Sequence, residues 1–338
     1  MPVPLTIADA ADAVDVSIQK MWIKSADAAN VRPSYYDKYF NVERGITDQL
    51  VKDTSLTGLG EAARIPEQSV IVGESPVQGY DRTYTQVEYG KLSSVTKHMW
   101  KFGIKKRKLE GVVDELRRAC ERRRERLCGD RLDQSFNTSY TVTDDGGNYS
   151  ATISGGDAVA FISNAHTRED GGTNWNNRIT DGTTVNMDLD YDAIKAAHRT
   201  AALVRDGKGN LMDLSLDTMV VRKGFANEFR AREILGAVRA GGKQSMPSSA
   251  DNDAAGVPAF KILPLPWLDS NTAYWWMFDS SLVGPMFGLQ LKESQPILLE
   301  GPNIVFKTGE VQYKATTMFD LGHNDARNFV GSQNTNTA

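Results

Sequence analysis

The sequence predicts an α+β fold built around one long helix, and three observations lead there. Residues 105–136 contain no proline and place strong helix formers at most positions. The Tyr- and Thr-rich stretch just ahead of them, about 59–102, reads as a projecting β-hairpin. Behind them, strand-like and helix-like segments follow one another without the regular alternation of a βαβ series. At 1.5 Å per residue the helix would span roughly 45 Å, too long and too charged to sit inside a domain.

The helix carries its own internal pattern. Leu109, Val113, Leu116, Cys120 and Leu127 share a narrow stripe, with Val112 on its flank and Arg123 intruding on it. Cys128, Leu132 and Phe136 start a second, rotated stripe. Gly129 lies at the changeover, which predicts a bend or a change of packing partner there.

Composition sets outer bounds. With 338 residues a sizeable core is within reach, as one large domain or two, and 40% hydrophobic with 24% charged residues is ordinary for a soluble protein. No run of 18 apolar residues offers a membrane span. The N-terminus lacks the basic and apolar regions of a secretory signal, so the glycosylation-type matches at Asn137 and Asn148 are expected to be idle. Cys120 and Cys128 would lie about 12 Å apart along the helix, beyond disulfide reach, and are expected to be reduced and buried or half-buried. Net charge is −4, yet residues 105–134 hold eleven Lys/Arg against seven Asp/Glu. A basic rod on an acidic remainder points to contact with nucleic acid or with acids on another copy.

In chain order, residues 6–30 read as an amphipathic helix with Ile7, Ala11, Val14, Ile18 and Met21/Trp22 on one face, stopped by Pro33. Extended, half-buried chain follows. Gly58-Leu59-Gly60 reads as a hinge, residues 61–66 as the outgoing limb of the hairpin, and YDRTYTQVEYGKLSSVT as its return. So polar a ribbon is marginal alone and is expected to lie on a neighbour, the alternative being a loop packed on its own domain. Residues 137–184 read as loops and short strands in which Tyr149, Phe161, Ile162 and Trp175 need burial. MDLDYDAIKAAHRTAALV is an acid-capped helix with Ile194, Ala197, Ala201 and Val204 on one stripe, and residues 206–210 are a turn. DLSLDTMVVRKG is a strand, FANEFRAREILGAVR a helix, and GGKQSMPSSADNDAAG a flexible segment. FKILPLPWL and AYWWMFDSS are strands, and residues 296–325 add two or three more.

Catalytic signatures fail when tested. GAVRAGGKQ misses the phosphate-loop spacing by one and follows a helix. Asp188, Asp190 and Asp192 mimic the start of a calcium loop, but Ala193 and Arg199 stand where glycine and glutamate are needed. His98, His166, His198 and His323 are isolated in sequence from one another and from the cysteines. No catalytic, metal or cofactor-binding residue is assigned, no cofactor is expected, and the chain reads as a non-enzyme. The arginine cluster 117–126 is partly neutralised by Asp114–Arg118 and Glu121–Arg124 spacings. It lacks the aromatic interleaving and groove-reading motif of a sequence-specific DNA binder.

The order arm, hairpin, long helix, mixed body and returning strands resembles the major capsid proteins of tailed bacteriophages, with the Hong Kong 97-type fold. AVAFISNAH with GGTNWNNR, and TMVVRKGFANEFRAREIL followed by AYWWMFDSS, look similar to pieces of that family's head proteins. The resemblance covers nearly the whole chain, to about Val330. It implies an N-terminal arm and lead-in to a peripheral domain at 1–57, an extended loop at 58–102 and a spine helix at 103–136. An axial domain would follow at 137–295, with peripheral return strands and tail at 296–338. It further implies hexamers and pentamers forming an icosahedral shell around double-stranded DNA bound without sequence preference. Portal and separate scaffolding or decoration proteins would be partners, assembly would occur in the host cytoplasm, and no membrane is involved. Expected assembly contacts are Arg64, Glu67, Tyr80, Arg82, Tyr84 and Glu88 on the ribbon, and Arg117, Arg118, Arg122, Arg123 and Arg124 on the helix. An encapsulin-like cargo shell, or a monomeric nucleic-acid-binding protein using the basic helix, are the alternatives.

Overall fold

The structure, a computed structural model, describes residues 22, 34–56, 58–62, 64–65, 70–71, 73–76, 78–96, 106–144, 146–239, 257–268 and 273–333. The expected N-terminal helix therefore lies outside the described residues except for Trp22, as do the flexible segment after residue 239, His98 and Glu67.

Two four-stranded sheets organise the chain. In the first, β1 (Phe40–Arg44) runs parallel to β10 (Leu289–Ile304), which pairs antiparallel with β11 (Val311–His323), and β11 with β4 (Val87–Val95). In the second the order is β12 (Phe329–Ser332), β9 (Trp275–Phe278), β7 (Thr218–Arg222), β8 (Lys261–Leu265). Two-stranded ribbons are formed by β2 (Leu50–Leu56) with β3 (Gln78–Thr85) and by β5 (Ser139–Asp144) with β6 (Gly147–Thr152).

The second sheet is covered on both faces, which is why its inner strand β9, WWMF, is apolar and buried at every position. Along β9, Trp275 and Met277 face one core while Trp276 and Phe278 face the other, and all four are fully buried. The first of these cores holds α2 (Tyr191–Ala202) and α3 (Ala226–Arg239). Asp190 caps α2 by accepting from the Ala193 N–H at 2.7 Å, as its acids predict, and Ile194, Ala197, Ala201 and Val204 are buried. The second core joins both sheets, through Phe40, Leu289, Leu291 and Phe319 on one side and Val220, Leu263, Trp276 and Phe329 on the other.

The long helix α1 (Lys106–Asp133) has 28 residues, about 42 Å, and is continuous through Gly129. The expected change of packing partner is real. Val113, Leu116 and Cys120 pack with Val311, Tyr313 and Ala315 of β11, whereas Leu127, Cys128 and Leu132 enter the core between the sheets. Gly129 is needed for contact rather than for bending: a Cβ there would lie 2.5 Å from the Trp267 carbonyl oxygen. Both cysteines are free and buried.

Four expectations are corrected. The ribbon's outgoing limb is β2, upstream of Gly58, rather than the described residues 61, 62, 64 and 65, because Val51, Asp53 and Ser55 alternate inward and give a registered partner for β3. β10 begins at Leu289, so the boundary expected at 295 falls inside a strand. β12 returns to the second sheet, since Phe329 and Val330 feed its two opposite cores. Phe161, Ile162 and Trp175 are buried as expected, but Tyr149 is 39% exposed on a ribbon edge.

Candidate assembly surfaces

The foot of the β2–β3 ribbon is fixed to the subunit by polar contacts. Tyr84 is fully buried; its hydroxyl donates to Asn324 Oδ1 at 2.6 Å, and its ring lies where a Cβ on Gly322 would sit. Burial pushes the Tyr84 phenol far up from its ordinary range. Arg82 donates to the Ser154 carbonyl at 2.6 Å, and the Tyr80 hydroxyl meets Thr167 Oγ1 at 2.5 Å. Buried Lys292 donates to Glu43 Oε2 at 2.5 Å and pairs with Asp53 Oδ2 at 2.7 Å. Burial pulls this ammonium down, but hydrogen bonds to Asp53 and Glu43 more than offset it and leave its pKa raised. Glu43, Asp53, Tyr80, Arg82, Thr167, Lys292 and Asn324 line a cavity of about 380 Å³.

The same cavity brings together histidines that the sequence separates. His166 Nδ1 lies 2.7 Å from Asp157 Oδ2, with its ring stacked on Trp175, and His323 packs edge-on against Phe161. Burial, then the charges of Arg131 and Arg82, hold His323 well below the ordinary histidine pKa. Arg327 pairs with Glu169 at 3.0 Å and with Asp325. Among the described residues, no three His, Cys, Asp or Glu side chains converge as metal ligands.

Further out, the ribbon bends onto its own subunit. Lys208 pairs with Glu74 at 2.6 Å, and Asn210 donates to the Leu59 carbonyl at 3.3 Å, so part of the expected neighbour contact is made internally. Arg64 is exposed, as are Ile65, Val70 and Ile71. Glu88 is exposed and accepts from Lys314 at 3.0 Å.

The arginines of α1 divide into three kinds, with pairings other than those expected. Arg118 and Arg122 both reach Glu115 at 3.3 Å on the exposed face. Arg117 pairs with Glu121 at 3.1 Å and lies over the Trp22 ring, while Arg123 pairs with Asp144 at 2.6 Å. Arg124 turns inward: its guanidinium donates to Glu293 Oε1 at 2.6 Å and to Thr317 Oγ1 at 2.8 Å, and lies over the Phe319 ring. Burial pulls Arg124 down, but Tyr36 and Glu293 reverse the sign and leave its pKa raised. Tyr84 and Arg124 are thus buried within their own subunit. Sequence reasoning passed over Lys292, Glu293 and Arg131, the last buried and donating to the Thr152 carbonyl at 2.6 Å. The available signal was Lys292-Glu293 following Leu289 and Leu291 in a strand buried on both sides.

Large apolar side chains are exposed at several places, among them Leu59, Ile65, Val70 and Ile71 beyond the ribbon, Leu298, Ile304 and Phe306 along the β10–β11 hairpin, and Phe225 and Phe229 at the start of α3. Exposed apolar groups of this size mark surfaces suited to contact with other macromolecules. Among the described residues, no helix is long and apolar enough to cross a membrane.

No protein-family model matches the sequence. No curated protein matches it either. Solved structures do match in shape. The capsid of the cyanophage P-SCSP1u is 10% identical and superposes with a TM-score of 0.53, covering 90% of this chain and 89% of that one. A chain from Mycobacterium phage Adephagia is 13% identical with a TM-score of 0.49, covering 90% and 91%. The virus-like particle from Pyrococcus furiosus is 12% identical with a TM-score of 0.47, covering 93% and 98%. Element order, the long helix against the β10–β11 hairpin, and the cyanophage superposition together give this chain the Hong Kong 97-type α+β fold of phage capsid subunits.

Proposed function

We propose that the chain is a non-enzymatic shell subunit, the major capsid protein of a tailed phage, assembling as hexamers and pentamers around double-stranded DNA. The observation that carries this reading is the capsid fold extending over nine-tenths of the chain. In this reading the first sheet and α1 form the peripheral domain and the second sheet with α2 and α3 the axial domain. The ribbon and the residues beyond it form the extended loop. Arg64, Glu67, Tyr80, Arg82, Glu88, Arg117, Arg118, Arg122 and Arg123 remain its candidate contacts, with portal, scaffolding or decoration proteins as further partners in the virion. A monomer that binds nucleic acid through α1 is disfavoured because Arg117, Arg118, Arg122, Arg123 and Arg124 are each paired with an acid.

Electron microscopy and sedimentation of the purified protein test the reading. Closed particles are expected, and particles from infected cells should hold nuclease-protected DNA. A monomer under all assembly conditions would overturn the shell; closed particles from infected cells that hold a protein cargo and no DNA would favour an encapsulin-like compartment. Replacing Ile65, Val70 and Ile71 with serine should leave the monomer folded and reduce particle yield.

A further inference from the structure

The β10–β11 hairpin ends in an aromatic group that none of the described residues of its own subunit covers. Phe306 is 100% exposed, with Ile304 60% and Leu298 45% exposed along the same hairpin. The turn that carries Phe306 is closed by its own backbone: Val305 N–H donates to the Glu310 carbonyl at 2.9 Å, and Gly309 N–H to the Val305 carbonyl at 2.7 Å. Gly309 supplies the left-handed conformation this closure needs, with φ of +67°. The ring is therefore presented on a preformed support, which lowers the ordering cost of inserting it elsewhere.

A receptor of suitable character lies on the same chain. Between edge strand β4 and α1 is an open groove of about 460 Å³, its wall made by Leu92, Val112, Leu116 and Ala119. Gly111 keeps one end of it clear, since a Cβ there would meet nothing within 4 Å. Leu92 is 53% exposed into this region. Phe306, being fully exposed, does not occupy its own groove.

We propose that the Phe306 tip is a knob that seats in the β4–α1 groove of a second copy of this chain. Charge supports the choice of partner. Lys307 and Glu310 flank the knob, while Glu115 and Arg122, which share a solvent-exposed bridge of 3.3 Å, rim the groove and can exchange it for partners of opposite sign on the knob. Knob and groove are different patches, so the contact is head-to-tail, the kind that closes into rings and extends across shells. The inference rests on the shell reading, and it assigns the hairpin tip a role separate from that of the ribbon.

Engineered cysteines test it, because Cys120 and Cys128 are buried and contribute little background. Phe306→Cys and Leu92→Cys both replace exposed side chains, so folding should persist. Particles of the double variant, oxidised with copper–phenanthroline, should give a ladder of disulfide-linked chains on a non-reducing gel. Each single variant should give none, and co-assembled singles should stop at dimers. Cross-linking of Phe306→Cys alone would mean that tips meet tips, and intact double-variant particles with no ladder would mean the groove is not the receptor; either result overturns the proposal. Gly111→Phe, whose Cβ enters open space at the end of the groove, should raise the critical concentration for assembly about ten-fold or more. An unchanged value also overturns it. Failure of the parent protein to form particles would instead count against the shell reading.

Discussion

Arg124 and Arg122 sit two residues apart in one arginine run, and the structure predicts opposite consequences for replacing them with methionine. Arg122 pairs with Glu115 in solvent, where such a bridge contributes about 0–1 kcal/mol. Arg124 is 6% exposed, and its loss leaves Glu293, itself 3% exposed, without its main counter-charge. Stranding one member of a buried pair costs about 3–5 kcal/mol. Arg44 still reaches Glu293 at 3.3 Å from a solvated position, so the lower end, about 3 kcal/mol, is expected.

Urea denaturation of the unassembled protein, followed by circular dichroism, measures the difference directly. The double replacement Arg124→Met with Glu293→Leu should recover much of the loss, because it removes both desolvated charges together. Thr317 keeps its bond to the Gln295 carbonyl at 3.0 Å and is not orphaned in that variant. Arg124→Met within about 1 kcal/mol of the parent, or Arg122→Met as damaging as Arg124→Met, would refute the reasoning. Loss of assembly in an Arg124 variant would then reflect folding, not a lost contact between copies.

Two further predictions concern the same helix. Gly129→Ala should destabilise by about 1–3 kcal/mol, because the new methyl meets the Trp267 backbone, whereas Gly111→Ala should stabilise by about 0.5–1 kcal/mol; thermal melts of both decide. Glu125 accepts from the Tyr35 N–H at 2.8 Å, and burial pushes its carboxyl up to about 7. A raised acid binds its proton more tightly folded than unfolded, so its contribution to stability falls as pH rises from about 4.5 to 7. The stability difference between the parent and Glu125→Gln should therefore change across that window and be flat above it; a pH-independent difference would contradict the assignment.

What sequence could show was local. The α1 stripe, the Asp190 cap and the apolar β9 each depend on spacing within one segment, and each is found where spacing puts it. What it could not show was which remote groups meet. Arg123 was placed on the stripe, yet Arg124 faces inward, because Tyr36, Glu293 and Thr317 arrive from three distant segments to receive it. Gly58-Leu59-Gly60 looked like the foot of the ribbon, but cross-strand register chose β2 instead, whose LVKDTSL alternates with its polar and apolar groups mixed on both faces. His166 and His323 stand far apart in the chain and share a cavity only because β11 ends beside the loop that carries Trp175.

Internal pairing of the arginines also changes what should hold copies together. The charges that first marked α1 as an ionic contact are paired within the subunit with Glu115, Glu121, Asp144 and Glu293, while Ile65, Val70, Ile71, Ile304 and Phe306 are left exposed. Each copy carries a net −4, so copies repel at low ionic strength, and salt screens that repulsion more than it weakens the few remaining pairs. Apolar association near room temperature is driven by entropy and strengthens on warming. The critical concentration for assembly should thus fall between about 5 and 25 °C, and should hold steady or fall as salt rises from about 50 to 500 mM. Light scattering across that grid reads both trends. A ten-fold rise in critical concentration with salt would return the contacts to ionic pairs and reverse the argument.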